Sequence, residues 1–225
     1  MLIARTGWLG LSFFLITLLG TNIPVESQSL LKKSAKTPTP PARDWQLLET
    51  KNKEWAVING FRSSNFGMSE KEVIRAIAKD FNISKTKVDR RVLPAENVTA
   101  LIIHIPKLMR VGGPADIVYL LEHKTNKLKQ INIDWGKGVT NDVDGKDILS
   151  AANLLRNHFS KKKYKKEGYA VNKKLDETRM LVFRGRDKKG RTIILRLENK
   201  KPKKGVDDME TGKNMSLILS YFKRT

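Results

Sequence analysis

Cysteine is absent from the 225 residues. Its absence excludes disulfides, thiolate metal sites and thiol nucleophiles. It also excludes a lipoprotein anchor, which needs a cysteine after the cleavage site. Histidine is scarce, and His104, His123 and His158 are too widely spaced for a His-x-x-x-His metal motif. No Gly-x-Ser-x-Gly and no phosphate-loop pattern occurs, so the sequence offers no catalytic residue, metal ligand or cofactor site. Acidic residues are outnumbered, with 23 Asp and Glu against 44 Lys and Arg and a net charge of +21. That balance predicts attraction to polyanions and self-repulsion at low salt.

Long apolar runs are also missing, except at the start. Arg5 precedes an apolar stretch from Trp8 to Leu19, after which Thr21–Ser27 turns polar around Pro24. Val25 and Ser27 stand at −3 and −1 of a cut before Gln28. This is the layout of a secretory signal peptide over residues 1–27. The run is shorter than the roughly 20 residues that cross a bilayer core, so cleavage and a periplasmic or secreted location are expected. An uncleaved inner-membrane anchor is the alternative. Cleavage would remove one base and one acid, leaving the net charge unchanged at +21. An exported chain without disulfides must be held by its core alone, which suits a bacterial envelope.

Residues 28–54 read as a linker, with Lys36-Thr37-Pro38-Thr39-Pro40-Pro41 extended because proline fixes φ and donates no hydrogen bond. The strongest local signal follows. Ser69 with Glu72 forms a capping box, Met68 and Val73 hold the staple positions, and Val73, Ile77 and Phe81 share one face. A helix is predicted over 69–81, with Asn82 as its stop. The period then changes. Residues 99–105, 116–122 and 129–135 read as strands, with a turn at Lys124-Thr125-Asn126 and an edge strand over 88–92. The order recurs as a helix over 147–159 and strands over 168–172, 180–185, 191–198 and 215–222, with a hairpin turn at Asp187-Lys188-Lys189-Gly190. The expected class is α+β, a helix packed on antiparallel sheet. Its expected organisation is two tandem units of helix plus three or four strands, over 55–139 and 140–225.

Phe66-Gly67-Met68-Ser69 followed by Glu72-Val73 resembles the glycine-plus-capped-helix opening of small bacterial envelope domains. These are the lipoprotein of the outer-membrane β-barrel assembly machinery and β-lactamase-inhibitor-protein-like domains. The resemblance covers about fifteen residues and the order of elements, and it implies a non-catalytic protein-binding module.

Positive charge concentrates in residues 161–204, with 18 Lys or Arg against 5 Asp or Glu. The densest runs are Lys161, Lys162, Lys163, Lys165 and Lys166, then Lys200, Lys201, Lys203 and Lys204. They are the candidate anion-binding residues, for an anionic envelope component, a membrane surface or another envelope protein. The rival classes are a secreted enzyme with an unrecognised site and a nucleic-acid-binding protein. The latter needs rings among the bases, and only Tyr164, Tyr169 and Phe183 offer them. Asp142-Val143-Asp144-Gly145-Lys146-Asp147 mimics a calcium loop but has Lys146 at position six and Asn153 at position twelve. It reads instead as an acidic helix start. Asp207, Asp208 and Glu210 read as a solvated loop.

Overall fold

The computed structural model describes residues 53–199 and 212–223. The expected signal peptide, most of the expected linker, Lys200–Lys204 and the Asp207–Glu210 acids therefore lie outside the described residues.

A two-stranded ribbon, β1 (Gly60–Phe61) and β2 (Ser64–Asn65), leads into helix α1 (Glu70–Phe81). Glu72 accepts from both the Ser69 N–H at 2.7 Å and the Ser69 hydroxyl at 2.6 Å, which ties down the first turn as the capping box requires. Asn82 ends the helix in the left-handed region at φ 51°. Val73, Ala76 and Ile77 form its buried stripe.

Four antiparallel strands follow: β3 (Asp89–Leu93), β4 (Val98–Ile105), β5 (Ala115–Glu122) and β6 (Lys127–Gly136). Helix α2 (Gly145–Ser160) comes next, then β7 (Ala170–Lys174), β8 (Arg179–Arg186), β9 (Thr192–Asn199) and β10 (Met215–Phe222). Most strand ends differ from the expected ones by one or two residues, because the last ladder bonds at each end leave no trace in hydrophobic alternation, while β10 has the expected bounds. Asn126 takes φ 51° in the β5–β6 turn and Gly190 takes φ +82° in the β8–β9 turn. The acidic run before α2 is a helix start: Asp144 Oδ1 accepts from the Lys146 N–H at 2.8 Å.

All eight strands join one sheet in the order β3-β4-β5-β6-β10-β9-β8-β7. The mixed α+β class holds, with the sheet as its dominant part. One alternation of the strands is buried, including Leu101, Ile117, Tyr119, Ile133, Trp135, Leu195, Leu217 and Leu219. The stripes of α1 and α2 belong to the same hydrophobic cluster. The other alternation faces away from both helices and is only half-buried, as Asp116, Val118, Leu120 and Glu122 show on β5. Among the described residues no helix is long and apolar enough to cross a membrane.

Candidate functional site

The end of α2 organises the basic run. The chain leaves the helix at Ser160 and runs along the surface to Lys166, dipping into the core only at Tyr164. Lys161, Lys162 and Lys163 are exposed, Tyr164 is buried, Lys165 is half-buried and Lys166 is exposed. Two backbone ladders hold the segment: Ala56 N–H donates to Lys163 O at 2.9 Å, and Lys165 N–H donates to Arg186 O at 2.9 Å. Tyr164 reaches back to donate its hydroxyl to Phe159 O at 3.1 Å, and its ring meets Phe183 edge-on with centroids 5.3 Å apart. Burial pushes the Tyr164 phenol up to about 12, so it stays protonated near neutral pH and acts as structure. Gly185 makes this seat, since a Cβ there would lie 2.5 Å from the Tyr164 ring.

Tyr169 stacks on Tyr164 at 6.1 Å and 23°, yet it remains 45% exposed. Around this pair lies a cavity of about 250 Å3, rimmed by Lys53, Lys162, Lys163 and Lys166. Among the described residues, no arginine lines it. The lysines are steered by neighbours. Lys53 donates to Ser160 O at 3.2 Å, where a cation also favours the carbonyl end of the helix. Lys162 pairs with Glu54 at 2.6 Å and holds that carboxyl below its usual range by hydrogen bond and charge. Lys163 lies 5.1 Å from the Trp55 ring centroid, and Lys188 approaches the same ring at 4.7 Å. An ammonium has three donors, so these single contacts leave capacity for an anion.

Of the candidate lysines, Lys162, Lys163 and Lys166 come together here, while Lys161 and Lys165 do not line the cavity. Lys53 was not among the candidates, since it lies 107 residues from its Ser160 partner. Two of the three rings open to a nucleic-acid reading are corrected: Tyr164 is 8% exposed and Phe183 fully buried, because both pack into the hydrophobic core.

A second cavity, of about 390 Å3, lies on the helix-free sheet face and includes Asp116, Asp134, Glu198 and Arg91 in its lining. Strand register builds it: His104 stands opposite Asp116, Asp116 opposite Asp134, and Asp134 opposite Ile218. His104 Nδ1 lies 2.8 Å from Asp116 Oδ1, and His104 sits on the sheet face with 55% of its side chain exposed. Arg196 pairs with Glu198 at 3.0 Å. Burial, then the facing Asp116 charge, pushes Asp134 up to about 6. Among the described residues, no three His, Asp or Glu side chains converge as metal ligands.

Compared with protein-family models, curated proteins and solved structures, the chain gives no significant match.

Proposed function

We propose that this chain is an exported, non-catalytic binding module of a bacterial cell envelope, periplasmic or secreted. It holds an anionic envelope component, or an envelope protein that presents one, at the basic end of α2. The observation that carries this reading is the convergence of Lys53, Lys162, Lys163 and Lys166 on one cavity beside an exposed tyrosine. Four ammonium groups in one concavity raise the local concentration of an anion and orient it. The lining brings charge and a ring rather than an acid paired with a base, which favours retention over turnover.

The same reading takes the chain as two tandem units. Each run is a helix followed by a four-strand meander, and the final strands β6 and β10 pair antiparallel at the sheet centre. That order agrees with the resemblance of residues 66–73 to tandem envelope-domain units.

A second reading, a secreted enzyme, is favoured only by Asp134, whose raised pKa of about 6 brings its titration closer to neutral pH than that of an ordinary carboxyl.

Vesicle co-sedimentation tests the first reading. The wild-type protein should bind anionic vesicles at low salt and release as salt screens the contact. Changing Lys53, Lys162, Lys163 and Lys166 together to Gln should weaken binding and flatten its salt dependence, with the circular-dichroism spectrum unchanged. Unaltered affinity and salt slope would assign the charge to solubility alone.

A further inference from the structure

We infer that the α2-end cavity is a subsite for a phosphorylated sugar ring, with the phosphate on the lysines and the ring on the open face of Tyr169. The inference rests on the anion-binding reading above and adds the chemistry of the ligand.

Three features of the cavity lead there. First, the cations that line it among the described residues are all lysines. The planar fork of arginine matches carboxylate and phosphate alike, whereas lysines act as point charges that impose no planar geometry and can be shared among the several acceptor oxygens of a tetrahedral phosphate. Second, Tyr169 is held from behind, stacked on Tyr164 and meeting Phe183 edge-on at 5.8 Å, so its ring plane is preset while its outer side stays open. A saturated sugar ring presents polarised C–H groups that suit the negative face of an aromatic ring. Bare phosphate gains nothing from that face. Third, the cavity is small. At about 250 Å3 it falls below the roughly 300–1,000 Å3 typical of pockets for drug-sized ligands. It therefore matches one sugar with its phosphate better than a whole nucleotide.

The neighbouring contacts supply the arrangement. Glu54 draws Lys162 towards the 54–56 segment through its ion pair, and the Trp55 ring holds Lys163 near the rim. The lysine stems add apolar walls beneath their charges. A phosphorylated sugar occurs free in solution and as the headgroup of an anionic glycolipid, and both carry the chemistry recognised here.

The test is calorimetric titration of the full mature chain with glucose 1-phosphate, inorganic phosphate and methyl glucoside, repeated on Tyr169→Ala and Tyr169→Leu. Glucose 1-phosphate should bind about tenfold tighter than either half-ligand, a factor in line with one aromatic stacking contact. Both Tyr169 variants should lose that preference while keeping their affinity for inorganic phosphate. Tyr169→Leu keeps apolar bulk against Phe183, so a folded variant is in hand even where Tyr169→Ala unfolds. Vesicles carrying lipid A or phosphatidylglycerol, both anionic, separate the sources. Tighter binding of wild type to lipid A vesicles, abolished in Tyr169→Leu, assigns the glycolipid. Equal vesicle binding with the glucose 1-phosphate preference intact assigns the free sugar phosphate. Equal affinity for glucose 1-phosphate and inorganic phosphate, or a preference that survives Tyr169→Leu, overturns the sugar inference while leaving the anion-binding reading in place. Stronger binding of adenosine 5′-monophosphate than of glucose 1-phosphate overturns it in favour of a nucleotide. No binding to any phosphate or anionic vesicle overturns both.

Discussion

Asp187 is 2% exposed and surrounded by donors. Its carboxylate accepts from the Ile58 N–H at 3.1 Å and the Arg191 N–H at 2.9 Å, with the Arg191 guanidinium 3.6 Å away. It thus pins the entering chain to the β8–β9 hairpin. Asp134 meets the opposite surroundings, with a carboxylate across the ladder and little water. Its ordinary pKa of 3.8 rises to about 6 in the fold, so between those values the folded chain holds a proton that the unfolded chain has released. Stability must then fall as pH rises through that window, and the loss persists above it. Arg196 opposes the shift, while Glu198 adds to it. Asp134→Asn should therefore raise the thermal midpoint at pH 7, leave it unchanged below pH 3.8 and flatten the slope between. Melting curves across that range check the sign, and a variant less stable at pH 7 would show that the carboxylate is paired after all.

Helix α1 separates two contributions of different size. Ser69 and Glu72 tie its first turn at the surface, whereas Ile77 is fully buried against the sheet. Losing the cap in Ser69→Ala should cost about 1 kcal/mol, and opening a hole in Ile77→Ala should cost roughly 2–5 kcal/mol. Urea unfolding of both variants gives the comparison. Equal, negligible shifts would mean that α1 lies outside the cooperative core. Edge strands β3 and β7 show a further logic. Both are largely exposed and carry charges, among them Asp89, Arg90, Lys173 and Lys174, which discourages strand addition by another chain.

For the whole molecule, the sheet has two unlike faces. One is the dry core under both helices, and the other is half-buried and carries the row His104, Asp116, Asp134. The basic cavity lies apart from that row, where α2 ends and the chain re-enters at Lys53–Ala56. If the protein is exported as proposed, mass spectrometry of native material should find Gln28 or a neighbour at the N-terminus. An intact Met1 would favour the membrane-anchored form.

Both helices and the eight strands of the large sheet were legible in the sequence, whereas the short β1–β2 ribbon was not. The 3.6 period of α1, the alternation in Ile131, Ile133 and Trp135, and the turn residues Asn126 and Gly190 are local signals, each contained within a few residues. The class, α+β, follows from their order. Local signals could not say that β6 and β10 pair, because Trp135 and its partner Leu217 are brought together only by the sheet. Nor could they show that Asp187, one turn residue among four, would become a buried anchor for Ile58. The lysine run was visible as charge, but its site depends on Lys53 and on the room that Gly185 leaves for Tyr164. Periodicity and composition act between near neighbours along the chain. The cavity and the carboxylate row arise from residues distant in sequence, and only tertiary packing decided which of them meet.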